Sequence, residues 1–228
     1  MEKKFELTDK FVFNTFGIKL FQIKCTKSFK YAKEGDLGGY VEKDENLDQE
    51  SNAWVYGDAR VYGNARVSGD ARVYGNARVS GDARVYGDAW VYGNARVYGD
   101  ARVYGDARVS GDARVYGDAW VYGNARVSGD ARVYGNARVS GDARVYGDAD
   151  IENDNNHCGF DCFGSCNRHT HAYLTKDNKV EITCGCFRGS IEEFEKKVEK
   201  THSGTIYEKQ YKAIINVIKI KFGLTDLI

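Results

Sequence analysis

The sequence lacks proline, net charge and long apolar stretches. None of the 228 residues is proline, and 33 basic side chains balance 33 acidic ones. Such a balance argues against a generic nucleic-acid binder, which usually carries an excess of lysine and arginine. No apolar run reaches the roughly 18 residues of a membrane helix, and residues 1–6 do not resemble a secretory signal. We therefore expect a cytoplasmic protein with no membrane partner.

Lysine is absent from the middle of the chain. Residues 51–152 contain 13 arginines and no lysine, histidine, cysteine or threonine, whereas all 18 lysines lie in the two flanks. The same stretch contains 13 acidic residues, so its charge is balanced locally. The exclusive use of arginine as the basic residue in this stretch indicates a structural constraint at recurring positions, and an internal repeat is the usual source of such a constraint.

Residues 51–152 consist of 17 consecutive six-residue units without insertion or deletion. A typical unit, residues 99–104, reads GDARVY: glycine, then Asp or Asn, alanine, usually arginine, valine, and Tyr or Ser. Alanine and valine at alternate positions predict a short strand with one buried face. Glycine before Asp or Asn predicts a tight corner, because these residues tolerate left-handed backbone angles. One unit cannot bury its own apolar face, so we expect the units to stack as coils.

This pattern resembles the hexapeptide-repeat family, in which an aliphatic residue recurs every six positions with a small residue two before it, as Val61 and Ala59 do. The resemblance implies a left-handed parallel β-helix with three units per coil, and hence about six coils. The expected fold is mainly β, with an N-terminal β cap and a small C-terminal α+β domain. The opening and tail segments resemble those of phage- and prophage-encoded members, which implies a bacterial host cell.

Three regions are expected along the chain. Two strands near residues 10–14 and 18–23 predict a hairpin that caps the first coil. In the tail, alternation at 169–175 and 180–184 predicts a second hairpin, and Ser190 and Thr205 are expected to cap two helices. The regions are the β cap at 1–37, the β-helix at 38–152 and the α+β tail at 153–228.

A return every 18 residues would sort the outward residues into three columns. Planar guanidinium groups can stack on each other and on aromatic rings, which accounts for arginine in the columns. In this interpretation the columns are solvated ladders of side chains, and the corner aspartates offset their charge. The alternative is a recognition surface for an anionic ligand or a partner protein. Three tryptophans interrupt the columns and are expected to be exposed, as interface anchors or as rings packed on the ladder. The candidate binding residues are Trp54, Trp90, Trp120, Arg60, Arg78, Arg96, Arg114, Arg132, Tyr98, Tyr116 and Tyr134.

Thiols and imidazoles concentrate between residues 157 and 186. Both groups suit Zn²⁺, although the Cys-x3-Cys-x3-Cys and Cys-x-Cys spacings differ from the usual zinc-binding pairs. Free structural thiols are the main alternative, and a catalytic pair of Cys184 or Cys186 with His202 is a third. No other cofactor is expected. The candidate metal ligands are Cys158, Cys162, Cys166, His169, His171, Cys184 and Cys186.

The repeat lacks the residues that carry enzymatic chemistry in the family it resembles. Acyltransferases of that family use a histidine on the helix as general base, and its carbonic anhydrases bind zinc through three histidines. Without such residues, we expect a non-enzymatic scaffold and oligomerisation protein, with a trimer as the first guess, whose tail or Arg/Tyr faces bind a partner. Two alternatives remain open: a phage counter-defence binder that sequesters a host protein or a signalling nucleotide, and an acyltransferase-like enzyme.

Overall fold

The computed structural model describes residues 3–224 as an N-terminal hairpin, a parallel β-solenoid and a C-terminal α+β unit. Strands β1 (Phe5–Phe13) and β2 (Lys19–Cys25) pair antiparallel, with the turn at Gly17. Strand β3 (Leu37–Val41) pairs antiparallel with β2 and parallel with the solenoid strand β5. The hairpin therefore extends one sheet of the solenoid, and a 3-10 turn at Asp44–Asn46 leads into the repeat.

Seventeen two-residue strands, β4 to β20, follow one another at intervals of six residues. Their bounds are Trp54–Val55, Arg60–Val61, Arg66–Val67, Arg72–Val73, Arg78–Val79, Arg84–Val85, Trp90–Val91, Arg96–Val97, Arg102–Val103, Arg108–Val109, Arg114–Val115, Trp120–Val121, Arg126–Val127, Arg132–Val133, Arg138–Val139, Arg144–Val145 and Asp150–Ile151. Each strand pairs in parallel with the strand 18 residues away, as Arg96 does with Arg78 and Arg114. Three faces result, and the face that begins at β4 has six strands. The prediction of a mainly β solenoid of about six coils is confirmed, whereas its left-handed sense stays a prediction.

The coils are joined by backbone hydrogen bonds around an interior of alanine and valine. The Arg96 and Tyr98 amides donate to the Ala113 and Val115 carbonyls of the next coil, at 2.9 and 3.0 Å. Val115 and its equivalents from Val55 to Val145 are fully buried, as are nearly all the alanines. Because the backbone groups are hydrogen-bonded between coils and the interior side chains are apolar, few buried polar groups inside the solenoid lack a partner.

Glycine, and not the following Asp or Asn, takes the left-handed conformation at the corners. Gly99 has φ of 71°, and a Cβ there would lie 2.9 Å from the Gly117 nitrogen of the next coil. The side-chain amides at the corners form their own ladder, in which Asn76 donates to Asn94 and Asn94 donates to Asp112. Asn76 and Asn94 thus separate Asp58 from Asp112, whereas Asp112, Asp130 and Asp148 follow one another along the same corner without an asparagine between them.

The N-terminal segment closes the first coil and buries Trp54, which is only 1% exposed. The rings of Phe5 and Phe29 pack edge-on against Trp54 at 6.3 and 5.4 Å. Lys4 is buried beside them, and its Nζ donates to the Asp48, Ser51 and Ala53 carbonyls. The expectation that Trp54 is exposed was therefore wrong, because the cap covers the face on which the repeat pattern places this side chain.

The C-terminal unit is an antiparallel sheet with two helices on one side. Its strands are β21 (His157–Phe163), β22 (Arg168–Leu174), β23 (Val180–Cys184) and β24 (Phe187–Ser190), in that order across the sheet. Helices α1 (Ile191–His202) and α2 (Ile206–Lys221) begin at the predicted caps Ser190 and Thr205. The predicted hairpin and helices are confirmed, whereas β21 and β24 were not predicted. Among residues 3–224, no helix is long and apolar enough to cross a bilayer.

We predict that Gly99→Ala destabilises the solenoid by about 1–2 kcal/mol or more, because alanine must adopt a left-handed conformation and its Cβ crowds Gly117. The shift in urea unfolding midpoint measures this change. Ser110→Ala, at a half-exposed outward position, is the control and is expected to change the midpoint little. Equal midpoints for the two variants would show that the glycine column is not required.

Candidate functional site

The tail sheet closes the C-terminal end of the solenoid through direct hydrogen bonds. The Tyr173 hydroxyl accepts from the Tyr146 amide at 3.2 Å and donates to Glu181 Oε1. The Thr183 hydroxyl donates to the Arg144 carbonyl at 2.9 Å. Tyr173 is fully buried and belongs to the same apolar cluster as the solenoid interior. These contacts place the central strands β22 and β23 of the tail sheet at a fixed position beside the last coil.

A cleft of about 810 Å³ lies where one face of the solenoid meets the start of β22 and the turn between β23 and β24. The solenoid supplies three successive coils through Arg108, Arg126 and Arg144, which are neighbours across parallel strands. The tail supplies Arg168 from the start of β22. The complete lining is Asp106, Arg108, Asn124, Arg126, Asp142, Arg144, Asn167, Arg168, His169, Gly185 and Cys186.

The cleft arginines have no carboxylate partner. Within residues 3–224, the arginine that forms a salt bridge is Arg188, whose Nε lies 2.7 Å from Glu181. In the cleft, an Asp142 oxygen instead accepts from the Asn124 amide at 3.0 Å. The corner aspartates thus balance the arginines in number without pairing with them. Four guanidinium groups against two carboxylates leave the lining with a positive excess.

Gly185 holds two of the arginines against the turn between β23 and β24. Its carbonyl accepts a hydrogen bond from Arg144 Nη1. Its φ is 60°, and a Cβ would lie 2.5 Å from Arg168 Nη1, so the Arg168 side chain passes directly over this residue. Glycine is therefore required at this position both for the backbone angle and for the approach of Arg168.

Three histidines lie together on the face of the tail sheet that meets the solenoid. His157 Nδ1 is 3.0 Å from His171 Nε2, and His169 Nδ1 is 2.5 Å from Asp161 Oδ1. Strand alternation explains the grouping, because His157 pairs with Tyr173 and Gly159 pairs with His171 across β21 and β22. Burial lowers the pKa of His157 and lowers the pKa of His171 well below its usual value. Both imidazoles are therefore neutral near pH 7.

The sheet separates the candidate metal ligands. His169 and His171 lie on the solenoid side, whereas Cys184 and the half-buried Cys158 belong to the apolar cluster under the helices. Cys162, Cys166 and Cys186 are exposed free thiols. In the described part of the chain, no group of three or more His, Cys, Asp or Glu side chains is arranged to hold a metal ion. Zinc binding stays a prediction.

The predicted binding columns are present, but their aromatic residues pack on their neighbours. Trp90 is half-buried between the Arg72 and Arg108 guanidinium groups, at 4.1 and 4.7 Å, and Trp120 lies between Arg102 and Arg138. The rings of Tyr98, Tyr116 and Tyr134 stack at 4.9 and 5.0 Å. The Arg60, Arg78, Arg96, Arg114 and Arg132 column runs along the same face as these tyrosines.

The sequence pattern did not identify the cleft. It placed Arg108, Arg126 and Arg144 in one column with Trp54 and Trp90, but the arginines and tyrosines of the candidate set came from another face. One feature of the sequence could have pointed to Arg168, since it is the only arginine between residues 153 and 187. Its proximity to the column depends on how the tail docks, and periodicity carries no information about that.

One comparison with known proteins is informative. The family described as "YdcK Beta solenoid repeat" matches ten overlapping segments between residues 53 and 151. The chain is similar to that family over its solenoid. The matched segments do not include the tail. They are residues 53–69, 65–81, 71–87, 77–93, 89–105, 95–108, 107–123, 119–135, 131–147 and 137–151. No curated protein matches the chain. These findings support a β-solenoid repeat protein, while phage origin stays a prediction.

We predict that the tail loosens from the solenoid in mild acid. Because the folded-state pKa values of His157 and His171 are lowered, the unfolded tail binds more protons below about pH 6.5, and its stability falls as pH falls. Hydrogen–deuterium exchange of residues 168–184, corrected for intrinsic rates, should show protection decreasing from about pH 7.5 to 5.5. His171→Gln should flatten this dependence. An equal slope in both proteins would contradict the assignment.

Proposed function

We propose that this protein is a non-enzymatic β-solenoid scaffold that binds a phosphate-bearing ligand in the cleft between its last coils and its tail. The observation that carries the proposal is the convergence of Arg108, Arg126, Arg144 and Arg168 on one cleft without carboxylate partners. A guanidinium group presents a planar fork of donors that fits phosphate oxygens in pairs. The four arginines of the cleft therefore favour a phosphate group over a neutral ligand.

The solenoid provides spacing and rigidity for such a site. Adjacent coils are about 4.8 Å apart, so Arg108, Arg126 and Arg144 form a row that contacts an extended anion at several points. Arg144 is held by the Gly185 carbonyl, and Arg108 by the Trp90 ring at 4.7 Å. Side chains that are already ordered lose less conformational entropy on binding. The zero net charge of the chain excludes long-range attraction but leaves this short-range recognition intact.

The scaffold role extends to the assembly of several copies, which we propose as a second property of the faces outside the cleft. Tyr86, Tyr104 and Tyr122 stack within 5° of parallel at 4.9 and 5.0 Å, and Tyr98, Tyr116 and Tyr134 stack within 7° at the same distances. Flat, ordered aromatic rows suit side-by-side packing, because little entropy is lost when they are covered. A trimer, a phage origin and a cytoplasmic location remain predictions.

We predict that pyrophosphate binds the wild-type protein at low salt and that Arg126→Ala weakens this binding by tenfold or more. Removal of a charge-assisted hydrogen-bond donor costs about 1.5–3 kcal/mol, which is at least tenfold in affinity. Isothermal titration calorimetry measures the dissociation constants. Raised salt should weaken the wild-type interaction, because the cleft is open to solvent.

Arg84→Ala is the matched control for this experiment. Arg84 is an exposed arginine at the same position of the repeat, and it lines a similar groove on another face, with Arg66 and Arg102 but without the tail. We expect Arg84→Ala to bind pyrophosphate like the wild type. Equal losses in both variants would show that binding is a general property of the arginine columns, and no binding to the wild type would refute the proposal.

A further inference from the structure

A second cavity lies inside the tail, between the sheet and the two helices. Its volume is about 230 Å³. Its apolar walls are Phe187, Phe194 and Val198, and the two phenylalanine rings are 5.0 Å apart. The complete lining is Ser165, Cys166, Arg168, Cys184, Cys186, Phe187, Phe194, Lys197, Val198, Thr201, His202 and Tyr211.

The tail cavity and the arginine cleft have a common wall. Arg168 and Cys186 line both, so the two spaces adjoin at this pair of side chains. Arg168 extends over Gly185, which belongs to the turn between β23 and β24. A single ligand can therefore place its anionic part on the solenoid arginines and a second part in the tail, with Arg168 between them.

The lining of the tail cavity defines the chemistry of that second part. The half-buried ring of Phe187 offers a surface against which a flat ring can pack, and the buried ring of Phe194 lies beside it. The hydroxyl groups of Ser165 and Thr201 can donate or accept hydrogen bonds at the edge of such a ring. The thiol of Cys184 is already engaged, since it accepts from the Thr170 hydroxyl at 3.3 Å.

His202 adds a further aromatic surface at the cavity. Its ring lies 5.5 Å from the Tyr211 ring with an interplanar angle of 29°, so the two are close to stacked. The Tyr211 ring in turn meets Phe194 edge-on at 5.6 Å. Four aromatic side chains therefore line one small space, with Phe187 and His202 half-buried and Phe194 and Tyr211 buried, which is an environment suited to a planar heterocycle.

We propose that the ligand is a nucleotide, with its base in the tail cavity and its phosphates on Arg108, Arg126 and Arg144. The inference rests on the proposed phosphate site and goes further by naming the ligand class and a second subsite. A nucleotide combines the two required parts, a planar heterocycle with polar edges and a chain of phosphates, in one small molecule. Arg168 contacts the region where the two parts join.

Calorimetric titrations with inorganic tripolyphosphate and with the four ribonucleoside triphosphates, without divalent cations, test the inference. The phosphate chain is the same in length, so any extra affinity belongs to the nucleoside. We expect at least one nucleoside triphosphate to bind at least about tenfold more tightly than tripolyphosphate, since base stacking on aromatic side chains is favourable.

Thr201→Trp should fill the mouth of the tail cavity without altering the cleft, because Thr201 is exposed on α1 and lines only the tail cavity. This variant should bind that nucleotide no better than tripolyphosphate, with its tripolyphosphate affinity unchanged. Lys200→Trp is the control, since Lys200 is the exposed neighbour that does not line the cavity, and it should retain the difference.

The outcomes separate the two proposals. If tripolyphosphate binds through Arg126 but no nucleotide exceeds it, the base subsite is refuted while the phosphate site stands. If a nucleotide exceeds tripolyphosphate equally in Thr201→Trp and Lys200→Trp, the base lies elsewhere and the inference is wrong. If neither tripolyphosphate nor any nucleotide binds, both proposals fail.

Discussion

The backbone ladder between successive coils is the constraint on which the rest of the structure depends. It requires each coil to return to the same face after 18 residues, as the pairing of Arg96 with Arg114 shows. The return requires glycine at the corners, where facing glycines leave no room for a Cβ. With this return, alanine and valine side chains stack inside the solenoid, and arginine side chains form columns on its outer surface. The six-residue sequence pattern is thus a direct consequence of one hydrogen-bonding geometry.

Because each coil returns to the same face, side chains of like charge are stacked in columns, and several contacts reduce their repulsion. Stacked arginines are separated by Trp90 and Trp120, whose rings lie against the guanidinium groups. Corner asparagines donate to the carboxylate one coil away, as Asn124 does to Asp142. These arrangements leave the guanidinium groups themselves unpaired. Where the tail adds Arg168 beside such a column, a row of unpaired cations becomes one wall of a solvent-open cleft that can bind an anion.

Features that follow from the repeat or from local sequence could be predicted, whereas features that depend on how distant segments pack together could not. The solenoid strands and the helix caps at Ser190 and Thr205 depend on local order, and the structure confirms them. The exposure of Trp54 was mispredicted because a distant segment covers it. Strand β21 was missed because His157–Phe163 contains Gly159 and few aliphatic residues, and pairing with β22 stabilises it. The cleft was missed since Arg168 reaches its column only through tail contacts.

The most direct test of this account compares two deletions. Removal of residues 69–86 takes out one whole coil and keeps Trp90, Arg108, Arg126 and Arg144 in one column, so pyrophosphate affinity should be unchanged. Removal of residues 129–134 takes out one unit and brings Trp120, in place of Arg126, beside Arg144. Affinity measured by calorimetry should then fall by about tenfold or more, equivalent to at least 1.4 kcal/mol. Equal affinities in the two folded variants would contradict the account.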